Sequence, residues 1–149
     1  MKVRTKAYGD IDIDERQKLM FPDGLFGFEN LKDYVLLDGE TTPFFWLQSL
    51  DSRETAFVLV DPFLFCPDYE MDISDDELAK IGLKSPENML FFSILTIPAD
   101  NGPMTANLQG PIIINRDTRL AKQVVLSDTR WKTKHNVQEE LAKSKKAPC

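Results

Sequence analysis

Side-chain chemistry needs a nucleophile, a general base or a ligand set at workable spacing, and this chain offers few. Its one histidine, His135, lies between Lys134 and Asn136 in a basic stretch, so a solvated side chain is expected there rather than a general base. Any Ser-His-Asp or Cys-His arrangement would have to recruit that residue. Cys66 and Cys149 have neither the number nor the spacing of a disulfide scaffold or a zinc site, which predicts a reducing compartment. The glycines do not cluster as G-x-x-x-x-G-K or G-x-G-x-x-G, and no D-x-D-x-D-G calcium loop occurs. Carboxylates abound, but abundance does not define a glycosidase-like acid pair. No catalytic residue, metal or cofactor is expected, and an enzyme is not predicted.

Charge and length narrow the remaining classes. With 149 residues the chain fits one domain that buries its core without staples. The net charge of −6 is unevenly placed: residues 130–149 hold six Lys and Arg against Glu139 and Glu140, leaving −10 on residues 1–129. The expected organisation is a body over 1–129 and a basic tail over 130–149, either frayed or helical. An acidic body attracts basic partners and repels phosphates. The N-terminal MKVRTKAYGD lacks an apolar stretch after its positive charges, so no secretory signal is read. Met89 to Ala99, the longest uncharged apolar stretch, falls short of the roughly 18 residues of a membrane span. A cytoplasmic protein without membrane contact is predicted, and the absence of a coiled-coil seam favours a monomer.

The elements that must position any binding residues are mostly short strands. Met104 to Asn115 (MTANLQGPIIIN) sets a polar, turn-forming head against Ile112, Ile113 and Ile114, which suit a strand buried on both faces. Lys2 to Tyr8 and Asp10 to Asp14 alternate as a hairpin with one wet face, joined at Gly9-Asp10. Lys18 to Phe21 makes a further short strand before the Pro22-Asp23-Gly24 turn. In Leu25 to Glu29, Gly27 supplies backbone freedom and the two phenylalanines are expected beneath it. Tyr34 to Leu37, Phe44 to Leu50 and Phe57 to Asp61 follow as an antiparallel meander, then Met89 to Ile97 and a last strand Gln123 to Leu126. Alternation puts Phe44, Trp46 and Gln48 on one face and Phe45, Leu47 and Ser49 on the other. Either that strand is buried on both faces or one aromatic row is a contact patch.

Phe63 to Tyr69 carries Pro67 just after Cys66 and follows Pro62, which argues against a central strand. It fits the rim of a protein-binding groove and a loop folded over a barrel end equally well. One short helix, about 74–82, is signalled by Ser74 as N-cap with Glu77 three residues on, and by Gly82 as its stop. Leu78 and Ile81 would pin it to the body. Asn136 to Lys146 has the pattern of a second helix, with Asn136 as N-cap and Val137 and Leu141 on one face, too short to hold unless it docks. The fold class is therefore mainly β: a single-domain antiparallel, β-barrel-like fold of short strands.

Gly24-Leu25-Phe26-Gly27-Phe28-Glu29, Pro43 to Ser49, Asp61-Pro62, Pro67-Asp68-Tyr69 and Thr105 to Asn115 occur in an order that resembles the FliW flagellar assembly factor family. These motifs run from about Phe21 to Leu126, and Thr-x-Asn-Leu-x-x-Pro-Ile-x-x-Asn is the most specific of them. Phe26 departs from the family's Gly-Leu-Pro-Gly-Phe-Glu, and the tail after about Arg130 matches no family motif. The resemblance implies a small barrel-like protein without catalytic activity that exchanges partners. Family members bind newly made flagellin and also the RNA-binding translational regulator CsrA, relieving its repression of flagellin synthesis.

The partner surface expected on these grounds joins Phe45, Trp46, Phe65 and Tyr69 as anchors, Asp68 as an orienting charge, and Asn107 with Leu108, Asn107 pairing with partner backbone. An aromatic-lined groove of this kind suits an amphipathic helix. Trp46 and Leu108 fit the core equally well. Two further classes stand as alternatives. A binding barrel for another protein, a small ligand or an oligonucleotide would share the short strands, but direct nucleic-acid contact is disfavoured because the aromatic segment lies among Asp68, Glu70 and Asp72. A carboxylate enzyme would show two facing acids in a deep cleft.

Overall fold

Three consecutive isoleucines cannot alternate between core and water, so a strand made of them needs cover on both sides, and the fold supplies it. The computed structural model describes residues 1–40, 43–70, 72–84, 86–98, 100 and 102–146. In chain order the strands are β1 (Lys2–Thr5), β2 (Gly9–Asp12), β3 (Lys18–Met20), β4 (Asp33–Asp38), β5 (Phe45–Ser49), β6 (Ala56–Val60), β7 (Met89–Thr96), β8 (Thr105–Ala106), β9 (Ile112–Asn115), β10 (Ala121–Gln123) and β11 (His135–Asn136). The helices are α1 (Asp75–Lys80) and α2 (Val137–Lys146). Ile112 and Ile114 join Leu19, Phe21, Leu47, Leu59 and Phe92 in one buried cluster, while Ile113 joins Val60, Tyr69, Leu95, Leu108 and Trp131 in another. Each such buried isoleucine contributes roughly 1.5–3 kcal/mol.

The main sheet runs β10-β9-β7-β6-β5-β4-β3, antiparallel throughout. Its first and last strands approach in a single bridge, Met20 to Leu120, where the Met20 amide donates to the Arg119 carbonyl at 3.0 Å. The sheet is thus barrel-like, its two edges meeting, among the described residues, at one bridge with no ladder to close it. The interior is the first cluster, to which every strand of this path contributes. A second cluster lies against the outer face, under residues 62–83 and 124–137.

β7 is long enough to take two partners along one edge. Its first half pairs with β9 and its last two residues pair with β8, while the opposite edge pairs with β6. The loop between β8 and β9 therefore leaves and re-enters the sheet beside β7. β8 also pairs with β11, which brings the start of α2 against the sheet.

Several expectations need correcting. β1 ends at Thr5, and the hairpin turns over residues 6–8 rather than at Gly9-Asp10, because the Thr5 hydroxyl accepts the Tyr8 amide at 2.9 Å and donates to the Gly9 carbonyl at 2.7 Å. The last strand of the main path is Ala121–Gln123, not Gln123 to Leu126. The Val124 amide still donates to the Pro111 carbonyl at 3.0 Å, but proline has no N–H to return and the ladder stops. At α1 the Ser74 hydroxyl accepts the Glu77 amide at 3.3 Å as expected, but the Glu77 carboxylate turns to Lys80 and Lys122. Ile81 is buried and Leu78 packs partly buried, so they do pin the helix.

The Phe63 to Tyr69 segment packs inward on the outer face of the sheet. Phe65, Cys66 and Tyr69 are buried, and the Tyr69 hydroxyl donates to the Leu108 carbonyl at 2.5 Å. Trp131 meets Tyr69 edge to face at 4.7 Å between centroids. α2 carries the expected N-cap, with the Glu139 amide donating to Asn136 Oδ1 at 3.0 Å, and it is docked through buried Val137. Cys149 lies outside the described residues.

Candidate protein-binding groove

Two loops far apart in sequence meet beside β10. Gly24 to Glu29 turns tightly, with a Leu25 to Phe28 bridge and Gly27 at φ +87°, a conformation that side chains disfavour. Leu25 is buried, but Phe26 and Phe28 are 57% and 39% exposed, so the aromatics expected beneath Gly27 point largely outward. The Phe28 ring stands edge to face on Phe57 at 5.2 Å.

The facing loop, Asn107 to Pro111, is held at both ends. The Asn107 amide donates to the Ile94 carbonyl at 2.9 Å, and the Ser93 hydroxyl donates to the Asn107 carbonyl at 2.7 Å. Leu108 is fully buried and plugs the loop into the second cluster. A hydrogen-bond relay ties the loops together. The Phe26 amide donates to Gln123 Oε1 at 3.0 Å, Gln123 Nε2 donates to the Gly110 carbonyl at 2.9 Å, and the Gly110 amide donates to Asn107 Oδ1 at 2.8 Å. A Cβ on Gly110 would stand 3.0 Å from Gln123 Nε2 and 3.2 Å from Asn107 Nδ2, so this close approach depends on glycine.

Between the loops lies a groove of about 340 Å³ whose walls include Phe26, Phe57, Asn107, Gln109, Val125 and Thr133. Its rim is apolar, with Val125 62% exposed, and its fixed polar groups are amides. Asn107 Nδ2 has no hydrogen-bond partner among the described residues, which leaves a donor on the wall of the groove. Such a site can hold an apolar side chain and pair with a partner's backbone. Among the described residues there is no group of three or more metal-ligating side chains.

The surroundings are charged. Lys122 bridges Asp23 at 2.8 Å and Glu77 at 3.4 Å, and the hydrogen bond from Lys122 holds the Asp23 carboxyl below its ordinary range. Arg130 ties the start of the basic segment to the acidic one, contacting Asp128 at 2.7 Å and Glu70 at 3.1 Å with its guanidinium 5.0 Å from the Trp131 ring centroid.

The seven residues expected at a partner surface are dispersed. Asn107 lines the groove and Asp68 is exposed on the acidic segment, in contact with Cys66 Sγ at 3.5 Å. Phe65, Tyr69 and Leu108 are core, each at 3% exposure or less, because the segment carrying the first two folds onto the sheet. Phe45 and Trp46, neighbours on β5, face opposite ways. Phe45 packs edge to face on Phe92 at 5.3 Å, and Trp46 lies half-buried in a second groove with Phe44, Val58 and Ile97. Phe26, Val125 and Gln123 were not anticipated. Val125 carried no local signal, since Val124, Val125 and Leu126 are all apolar and only the structure turns the middle one outward.

Comparison with known proteins agrees with this architecture. The model of the family described as FliW protein matches residues 2–137. A flagellar assembly factor FliW of Treponema denticola is 49% identical over 141 residues, covering 95% of this chain and 96% of that protein. One from a Geobacillus species is 42% identical over 144 residues, covering 96% of this chain and 100% of the relative. A crystal structure of the flagellar assembly factor FliW superposes with a TM-score of 0.84 at 42% identity, covering 92% of this chain and 96% of that one. With a family model spanning nearly its whole length and a matching fold, the chain belongs to the FliW family of flagellar assembly factors.

Proposed function

We propose that the protein acts without catalysis, in the cytoplasm, by binding flagellin and the translational regulator CsrA in turn, so that flagellin level sets how much regulator is free. The observation that carries the flagellin half is the groove itself. Its two walls are the segments that carry the family's motifs, and the relay through Gln123 fixes their spacing before any partner arrives. Preorganisation of this kind lowers the ordering cost of binding. An amphipathic helix from flagellin sets apolar side chains against Phe26, Phe57 and Val125, while Asn107 Nδ2 donates to the partner.

Charge supports the regulator half. The net −10 over residues 1–129 draws a basic RNA-binding protein and disfavours RNA at the same surface. The same charge gives this complex a salt dependence that the apolar flagellin contact does not share.

Calorimetric titration with flagellin and with CsrA, each at low and moderate salt, tests both halves. Micromolar or tighter binding to both is expected, with only the regulator complex weakening as salt rises. Val125→Glu sets a charge on the exposed rim and is expected to weaken flagellin binding by about tenfold or more while stability stays within about 0.5 kcal/mol. Undiminished flagellin binding by that variant would remove the groove from the proposal. No heat and no co-elution with either protein would remove the partners.

A further inference from the structure

The single histidine, expected in solvent, sits at a joint. His135 Nε2 accepts the Lys132 amide at 2.8 Å, and Nδ1 lies 3.2 Å from Glu140 Oε1 on α2. The side chains of His135 and Glu140 are only 13% and 14% exposed. In the same turn the Lys132 carbonyl accepts the amides of Leu108 at 3.0 Å and Gln109 at 3.1 Å, and Thr133 lines the groove. One turn, Lys132 to His135, therefore connects the C-terminal helix to the loop that walls the groove. β11 pairing with β8, and the Val137 amide donating to the Met104 carbonyl at 3.0 Å, fasten its far side.

The geometry dictates where protons go. Nε2 is an acceptor, so the neutral ring carries its proton on Nδ1, facing Glu140. A second proton has to enter at Nε2, where the Lys132 N–H already points, and two donors then oppose each other. Glu140 faces the ring from α2. The Arg130 guanidinium, on the neighbouring Trp131 ring, is engaged by Asp128 and Glu70. β8 brings Ala106 and Thr105, which do not titrate, and the turn itself carries Lys132 and Lys134. Protonation therefore breaks the link to the turn while leaving Nδ1 facing α2.

We propose that His135 is a proton-operated positioning residue: charging it releases the Lys132 to His135 turn from the Leu108 and Gln109 amides and loosens that wall of the groove. The consequence for flagellin rests on the groove being its site, as proposed above, and is a fall in affinity as pH falls.

Amide hydrogen exchange on the full chain, corrected for intrinsic rates, at about pH 8 and about pH 5.5 reads the latch directly, across the range in which histidine changes charge. Protection of Leu108 and Gln109 is expected to drop about tenfold at the lower pH in the wild type. His135→Gln, whose side-chain oxygen can accept the Lys132 amide but does not titrate, is expected to keep protection at both values. An equal drop in that variant, or no drop in the wild type, overturns the latch. Flagellin titrations at the same two pH values separate the two ideas. Protection lost with affinity unchanged supports the latch and overturns the assignment of flagellin to the groove.

Discussion

Two apolar grooves of similar size, about 340 and 330 Å³, open on different sides of the same sheet, and they are built in opposite ways. The loop groove, between Gly24 to Glu29 and Asn107 to Pro111, is tied across by side-chain amides and keeps an unused donor on its wall. The hairpin groove, around Trp46, Phe44 and Ile97, is a seam where the N-terminal hairpin docks on β4 and β5. There the polar links serve the docking: the Lys6 amide donates to Gln48 Oε1 at 2.9 Å and the Tyr8 hydroxyl donates to the Asp38 carbonyl at 2.9 Å. Trp46 belongs to the small cluster formed by Val3, Ile13, Val35 and Leu37 under that hairpin. Similar volume and apolarity thus accompany different construction. A groove with fixed amide groups facing outward can select a partner, whereas one whose backbone and side-chain links tie a hairpin to a sheet holds the two together.

The sharpest way to break this contrast is to cut the relay. Gln123→Ala strands the Phe26 amide and the Gly110 carbonyl, and is expected to cost about 2–3 kcal/mol in urea unfolding and to abolish flagellin binding. If binding survived, the loops would not need the relay to hold their spacing. Trp46→Ala in the other groove is expected to cost about 2 kcal/mol while leaving flagellin binding unchanged. A loss of binding at constant melting temperature in that variant would reverse the roles assigned to the two grooves.

The smallest effect lies beneath the loop groove. The ring of Tyr34 sits 6.4 Å from that of Phe57, and its buried hydroxyl has no hydrogen-bond partner among the described residues. Burial pushes its pKa up to about 12. The folded protein holds this proton where the unfolded chain, ionising near pH 10, has released it. Stability is therefore full below about pH 10 and declines as pH rises through about 12. Tyr34→Phe is expected to change neutral-pH stability by less than about 1 kcal/mol and to flatten part of the alkaline loss. Tyr69, also pushed up by burial, keeps the remainder. An unchanged alkaline slope would contradict the account.

Periodicity made most of the fold legible. The meander from β4 to β6, the long β7, the capped α1 and the doubly buried Ile112 to Ile114 all follow from local pattern and turn chemistry. The candidate site was less legible. Asn107 follows from its place in the polar head of a core strand, but nothing local says which face of an aromatic loop meets the sheet, so Phe65 and Tyr69 read as surface and are core. Phe26 was placed inside for the converse reason. His135 reads as solvated in any window around it, since its partners are a backbone amide in its own turn and a carboxylate five residues on.

What the sequence determined by itself is the class of molecule: an antiparallel, strand-rich fold carrying an acidic body and a motif set that names a family. These depend on residue type and near-neighbour spacing, which covalent geometry and burial translate directly. Only the tertiary structure decided which apolar residues are surface and which are core. It alone brought Phe26 to Gln123, 97 residues apart, and drew the C-terminal turn under the Asn107 loop. Long-range contacts form wherever the sum of burial and hydrogen bonding across the whole chain is best, and no local stretch contains that sum.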